Sequence, residues 1–588
     1  MSILTVSRRS VVAGAALAGV GLVATAAMQP LMAKASETAE PEAYDFEADV
    51  VIVGAGGAGL IAAMKASDEG AKVIVVDANY DMGGHACLSS GYTHSGCGTS
   101  VQQVYGVEDS PDQYYLDHTN PACLDSRFND RDVIRGEADY MAEAFEWMLT
   151  KGLKVQEGEP FFLTKGFNDG GADCNTVPRD LMTDPTGLTE IGTGLVNEGM
   201  TQGIALTRPF EEQARAQGVD FIMNYHMDSL ICDESGRVVG IRASKQANTL
   251  PDGTALVGLH DDENLTSDAD EICVKGAKAV VLCTGGSAGS VPFRTMLDPR
   301  WTEEYGINGA PYGYKDASGE IAAMAVGAGL GSTANGTVET RMPVMPRTNI
   351  GCKYQFAWGE QSQMFPIAGA KGLRFNDYDG AILVNMLGQR FANEATAKVG
   401  VKSMFDYLAA ALGSVVLDEG TGAARRVGGP IWCIFDAAYA EEQGWDCQYP
   451  NVDTENGCFF QADTIEDLAS QITCEQYGVS MDPATLAQTV ADYNACVDAG
   501  ADEAFGKDAE LLTRKVENGP FYAALATPIL HDSLTGIRVN GQMQVLSTTM
   551  EVIPGLYAAG ECAGGHHTHG MGKVETQGYI AGMFAGQE

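Results

Sequence analysis

Four apolar residues, Val50 to Val53, run without interruption into the stretch Gly54-Ala55-Gly56-Gly57-Ala58-Gly59. A short unbroken apolar run closed by glycine reads as a strand buried on both faces. A helical segment follows to about Glu69, and Lys72 to Val76 predicts a second strand that ends on an acid, Asp77. Arg131 to Gly152 carries Ile134, Ala138, Met141, Phe145 and Met148 near helical spacing, which predicts an amphipathic helix packed on the core. Arg208 to Gln217 reads as a helix leading into a strand from Val219 to Tyr225. Alternating residues on either side of Ser235-Gly236 then predict a hairpin. Lys278 to Cys283 is another buried strand, delivering Thr284-Gly285-Gly286, and Gly555 to Glu561 repeats the device near the C-terminus. Both ends of the chain therefore feed one parallel sheet, and the domain built on it is discontinuous. The intervening stretch, Thr348 to Thr527, has strands of its own (Ala381 to Asn385, Ile431 to Asp436) and a helix, Pro483 to Ala499.

The glycines give the first strand its chemistry. Gly54 permits the tight turn, Gly56 lets a pyrophosphate approach the backbone, and Gly59 lets helix and strand pack closely. The helix N-terminus offers unpaired N–H groups to phosphate, and Asp77 stands where a carboxylate accepts ribose hydroxyls. Strand, loop, helix, strand and acid in that order indicate a bound adenine dinucleotide. The turn that follows, Met82 to Gly91, is rich in small residues, so backbone and hydroxyls can approach the same cofactor.

With 588 residues the chain needs more than one core. Its 78 acidic and 37 basic residues leave a net charge of −41, which excludes nucleic acid and anionic membrane surfaces as partners. Ser7-Arg8-Arg9-Ser10 precedes a mildly apolar run, Val11 to Ala27, and Ala33-Lys34-Ala35 fits a cleavage site. Residues 1–35 thus read as a twin-arginine signal for export to the periplasm or the extracytoplasmic membrane face of a bacterium. None of the 14 cysteines forms a CxxC pair, so zinc ribbons, iron–sulfur clusters and c-type haem are not expected.

Several of these pieces share a pattern. Gly54 to Gly59, Asp77, Gly83-Gly84, Thr284-Gly285-Gly286, the run Gly388 to Glu394 (GQRFANE), and IPGLYAAGE ending on Glu561 resemble the flavoprotein subunits of the fumarate reductase and flavocytochrome c superfamily. The resemblance covers nearly all of the chain after its leader. It implies an α/β fold with a Rossmann-type FAD-binding domain in two segments, 36–347 and 528–588, closed by an α+β capping domain at 348–527. It implies non-covalent FAD and hydride transfer from flavin N5 to an activated C=C bond. Cofactor contacts then fall to Gly54, Ala55, Gly56, Gly57, Ala58, Gly59, Asp77 and Ala78 in the first unit, and to Gly84, His85, Ala86, Ser89, Ser90 and Gly91 in the turn. Met227 holds the adenine through its backbone, Glu561 contacts the ribityl chain, and Lys573 offers its backbone N–H to the pyrimidine. Thr284, Gly285, Gly286, Ser318, Gly560 and Val574 complete the set.

The substrate side departs from the fumarate pattern. Gln355-Phe356-Ala357 keeps the glutamine of a Gln-x-His pair and lacks the histidine, and His531-Asp532-Ser533-Leu534-Thr535-Gly536 keeps one histidine of an HHTMGG-like motif. Thr568 stands at the position of the tail arginine, and Ala437-Ala438-Tyr439 follows Ile434-Phe435-Asp436 with no cap arginine. Losing two cations removes most of the stabilisation for two carboxylates, so a C4-dicarboxylate is not the expected substrate. The remaining candidates for proton transfer are Tyr439, His531 and His569, with Arg390 and Glu394 as either a relay or a structural ion pair. Gln355, Tyr522, His567 and Thr568 are the expected substrate contacts. His566, His567 and His569, set in a glycine-rich loop, read as substrate or flavin contacts rather than metal ligands.

The tail also resembles flavin-dependent 3-ketosteroid dehydrogenases at His567-Thr568-His569-Gly570-Met571-Gly572. The expected activity is reduction of an enoate or enone by an exported flavoenzyme that receives electrons from a separate cytochrome or other donor. The alternatives are a ketosteroid-type dehydrogenase working in the oxidative direction, and an FAD electron-transfer protein without substrate chemistry.

Overall fold

A computed structural model describes residues 38–122, 126, 129–162, 175–186, 188, 202–298, 301–302, 306–307, 314–332, 344–345, 347–354, 359–360, 362–374, 380–394, 414–417, 420–566 and 570–588. The expected leader lies outside them.

Phe46–Val53 forms β1, Gly57–Asp68 forms α1 and Val73–Val76 forms β2. β1 and β2 run parallel, with Val50 opposite Val73 and Val53 opposite Val76. Val50, Val51 and Ile52 have no exposure, and burying each such side chain contributes about 1.5–3 kcal/mol. Tyr92–His94 (β3) pairs with the later Asp180–Met182 (β4); between them lie Pro111–His118 (α2) and Arg131–Thr150 (α3). α3 buries Ile134, Ala138, Met141, Phe145 and Met148, the stripe its spacing predicts, and Asp130 caps it by accepting from the Asp132 N–H.

The strand expected from Val219 to Tyr225 is broken. Asp220–Ile222 (β5) pairs with β2, Asn224 turns the chain at φ +62°, and Tyr225–Cys232 (β6) begins a hairpin with Val238–Lys245 (β7). Glu271–Leu282 (β8) lies parallel to β1 along one edge. Its other edge takes β7 in its first half. Ser318–Ala325 (α4) follows.

A second sheet has its own core. Ile382–Val384 (β9), Trp432–Asp436 (β10), Phe459–Ala462 (β11) and Phe521–Leu525 (β12) form an antiparallel sheet in the order β9-β10-β12-β11. Alternation assigns its faces. Ile382, Val384, Trp432, Ile434 and Ala523 pack with Leu486, Val490 and Tyr493 of Pro483–Ala499 (α5), while Leu383, Cys433, Phe435, Tyr522 and Ala524 share a second cluster on the other face.

The chain then returns to the first sheet. Gln544–Leu546 (β13) pairs with Val552–Ala558 (β14), and β14 lies parallel to β8 with Leu556 opposite Val280. Met571–Gln587 (α6) closes the fold against α1. Gly578 and Gly582 make that packing close: a Cβ there would stand 2.5 Å from Ala58 O and 2.4 Å from Ala62 O. The parallel sheet is thus discontinuous in sequence, as expected, and its last helix braces the helix that follows the first glycine loop. Among the described residues the cysteines are free thiols, most of them buried.

Candidate active site

The glycine loop is shaped by close backbone approach. Gly54 has φ +104°, and a Cβ there would meet Cys283 O at 2.3 Å; a Cβ on Gly59 would meet Gly54 O at 1.8 Å. Gly56 is the N-cap of α1 and supplies no side-chain bond, so the first N–H groups stay available to an anion at the positive end of the helix. Asp77 braces this loop: its carboxylate accepts from Ala55 N at 2.5 Å and Asn79 N at 2.7 Å. Burial pushes the Asp77 carboxyl up, against those backbone donors.

Behind Asp77 lies a pairing the sequence did not announce. His226 Nε2 is 2.7 Å from Asp316 Oδ2, and Nδ1 is 3.5 Å from Asp228 Oδ1. Burial opposes charging of this imidazole, but its bonds to Asp228 and Asp316 prevail and raise it to about 9. Met227 is buried next to it, where the β6–β7 ladder slips register. Asn248 Nδ2 donates to Ala78 O at 2.8 Å.

The Met82 to Gly91 turn meets the C-terminal segment. His85 Nδ1 lies 3.4 Å from Glu561 Oε2 and 3.9 Å from Asp532 Oδ1; Lys315 Nζ lies 3.1 Å from Glu561 Oε1. Burial raises the Glu561 carboxyl, yet Lys315 and His85 outweigh it and hold it at about 2. His531 Nδ1 is 3.1 Å from Asp532 Oδ1, and its carbonyl accepts from Lys315 Nζ at 3.0 Å. A Cβ on Gly286 would come within 2.5 Å of Glu561 Oε1 and 2.4 Å of Ser533 Oγ. Ser318 N donates to Asp316 Oδ1 at 3.0 Å, which ties α4 to the His226 pair. Thr284 Oγ1 is buried without a hydrogen bond among the described groups. Ser89 Oγ accepts from Gly91 N at 3.2 Å, while Ala86 is buried and Ser90 exposed.

Gly560 and Glu561 lead to the N-terminus of α6, which Gly570 caps without a side-chain bond. Lys573 and Val574 are in its first turn, and Lys573 Nζ donates to His566 O at 3.3 Å. Glu137 on α3 sits against this tail: its carboxylate accepts from His566 Nδ1 at 2.5 Å, Gln577 Nε2 at 2.8 Å and the Tyr114 hydroxyl at 3.4 Å. Gln577 Oε1 in turn accepts from Gly560 N at 2.9 Å. Tyr114 stacks on His118 at 4.1 Å, and His118 meets His566 edge-on at 5.3 Å. His94 bonds Asp180 through Nδ1, and a Cβ on Gly570 would strike its ring.

The expected cap residues form two separate groups. Tyr439, 1% exposed, packs between Phe435 and Trp445, with Asp436 capping its helix by accepting from Tyr439 N at 2.9 Å. Tyr522 stacks on Phe435 at 5.2 Å, and burial pushes its phenol up. Arg390 meets Glu394 at 2.7 Å and Asp502 at 2.9 Å, Lys507 stands 3.8 Å from Glu394, and Tyr493 and Phe505 flank the guanidinium. Gln355, His567, Thr568 and His569 lie outside the described residues. Lys315, His226, Asp316 and Glu137 emerge from the fold; Asp532 stands inside the His531–Gly536 motif, and the only local signal for His226 and Asp316 is that they lie within two residues of Met227 and Ser318.

The open helix N-terminus, the glycine cradle, the carboxylate at the ribose position and the polar cluster around Glu561 fit a flavin dinucleotide. The FAD binding domain family matches residues 49–575. The chain is 26% identical over 542 residues to the fumarate reductase (cytochrome) of Shewanella frigidimarina, covering 92% of this chain and 76% of that one. It is 25% identical over 559 residues to the acrylate reductase flavoprotein subunit of Shewanella woodyi, covering 93% and 92%. The open conformation of a flavocytochrome c3 fumarate reductase shares the fold with a TM-score of 0.59 at 23% identity, over 92% of this chain and 79% of that one. The chain belongs to the FAD binding domain family and is an FAD-dependent oxidoreductase.

Proposed function

We propose that the protein reduces the activated C=C bond of a small enoate or enone. The observation that carries this reading is how two buried cations, Lys315 and Arg179, are paired. Among the described residues, Lys315 faces Glu561, and Arg179 faces Asp109 at 2.8 Å and Asp117 at 2.7 Å. Neither is left to hold a substrate carboxylate, and the likeness to an acrylate reductase supports an acceptor smaller in charge than fumarate.

FAD, held without a covalent bond, supplies hydride at flavin N5 when bound. The chain's residues do the rest. The N-terminus of α1 and Asp77 would hold the phosphates and ribose, Glu561, kept ionised by Lys315, would take the ribityl hydroxyls, and the free N–H groups of α6 would serve the flavin ring. A histidine of the tail or His531, which neighbours Asp532, delivers the proton that completes saturation. Tyr439, inside the aromatic cluster of the second sheet, supports the shape of that domain. Electrons arrive from a separate donor, such as a cytochrome, after export through the Ser7-Arg8-Arg9 signal.

The test is anaerobic oxidation of reduced viologen with crotonate, cinnamate, cyclohexenone and fumarate. Turnover with one of the first three above that with fumarate is expected. No acceptor oxidising the flavin would overturn the reading, and bleaching by a saturated ketosteroid alone would favour the oxidative alternative.

A further inference from the structure

Glu137 and His566 are 429 residues apart in sequence and 2.5 Å apart in space, both essentially buried. Glu137 has three donors around one carboxylate, so His566 Nδ1 carries a proton and points it at Glu137. The opposite nitrogen, Nε2, is buried and makes no hydrogen bond to any described group. A histidine kept for packing alone would have both nitrogens satisfied. One nitrogen held by a carboxylate and the other left open is how an imidazole is prepared for proton transfer: the carboxylate fixes the tautomer and steadies the imidazolium.

The surroundings place this pair beside the turn and helix N-terminus assigned to the cofactor. His566 lies between the Glu561 turn and the N-terminus of α6, and its carbonyl accepts from Lys573. Gln577 links Glu137 to the Gly560 N–H, so the carboxylate and the turn share one brace. The neighbouring His118 ring is kept neutral by burial, by His566 and by Arg179, so it does not compete as a second cation.

We propose that His566, oriented by Glu137, is the acid that protonates the acceptor, with Glu137 as its positioning residue. The inference rests on the C=C reductase reading above, and the reductant is the two-electron-reduced flavin named there. In the step, the C=C π bond breaks and the β-carbon gains a C–H bond by taking hydride from that reductant. The electron pair left at the α-carbon takes the proton from His566 Nε2–H, which leaves a neutral imidazole still bonded to Glu137 through Nδ1. Solvent then restores the proton, and the acceptor has gained two hydrogens.

The experiment uses the flavin-loaded protein and its His566→Gln, Glu137→Gln and Glu137→Asp variants. With the best acceptor from the panel above, His566→Gln is expected to lose roughly 10²–10⁴-fold in kcat with KM held within about threefold. Flavin content should be unchanged, which separates a chemical defect from a folding one. In protein labelled with ¹⁵N at histidine, 3-phenylpropanoate should shift the His566 Nε2 resonance. The Nδ1–H signal should vanish in Glu137→Gln and return, with part of kcat, in Glu137→Asp. A His566→Gln variant that turns over within about threefold of the unaltered protein, or an Nε2 resonance unmoved by the probe while turnover persists, overturns the proposal. If the unaltered protein reduces no acceptor, the reductase reading itself fails, and the proposal falls with it.

Discussion

Two buried polar networks face each other across the molecule's function. In the second sheet's domain, Arg390, Glu394, Asp502 and Lys507 pair among themselves, with Tyr493 and Phe505 closing the guanidinium from water. Where α2 and α3 meet the tail, Glu137 is saturated with donors while His566 Nε2 and His118 Nδ1 have no partner among the described groups. Both networks bury charge, and of the two only the tail network has buried ring nitrogens without a partner among the described groups. On the reading proposed above, that difference separates a strut from a tool.

The largest effect expected from this contrast is in the closed network. Arg390→Ala strands Glu394 and Asp502 in the core, and removing one partner of a buried pair costs about 3–5 kcal/mol. Thermal unfolding followed by circular dichroism should show a large drop in Tm. The correctly folded fraction should keep its acceptor preference, and a changed preference at unchanged Tm would make this network functional. Gly582→Ala tests the brace between α6 and α1: the added methyl meets Ala62 O at 2.4 Å, so overpacking should cost about 1–3 kcal/mol and weaken FAD retention together with Tm.

Two further buried groups make stability depend on pH. His226 is raised to about 9 by Asp228 and Asp316, against burial, so its contribution is full below the ordinary histidine range and is lost as pH rises through about 9. Tm should fall by roughly 2–4 °C between pH 7 and pH 10, and Asp316→Asn should flatten that slope. Glu575 responds to pH with the same sign, but here burial drives the shift instead of opposing it. Burial pushes its carboxyl up to about 7, with only the Thr93 hydroxyl opposing, so the folded state loses stability as pH rises from the ordinary glutamate range through about 7. Glu575→Gln should raise Tm slightly at pH 8 and leave it unchanged at pH 4.5; a loss at pH 8 would mean the ionised carboxylate is stabilising.

The sheet was legible because its signals are local. Val50 to Val53, the glycines after them, and the strands ending at Thr284 and Glu561 each carry their message within about ten residues. The site was legible only in part, since its chemistry comes from pairs far apart in sequence. His85 reaches Glu561 across 476 positions, and Glu137 reaches His566 across 429. Nothing in the amphipathic pattern of α3 distinguishes Glu137 from a solvent-facing glutamate until α6 packs against it. Tyr439, three residues after Asp436, carries no local signal of the Phe435 and Trp445 rings that it packs on.

One competition decides whether this FAD enzyme reduces a C=C bond without the cations of a dicarboxylate site. The reduced protein is mixed anaerobically with crotonate or cinnamate and, separately, with fumarate, and flavin reoxidation is followed by absorbance. Faster reoxidation by the monocarboxylate is the expected result. Reoxidation by fumarate alone would contradict the account.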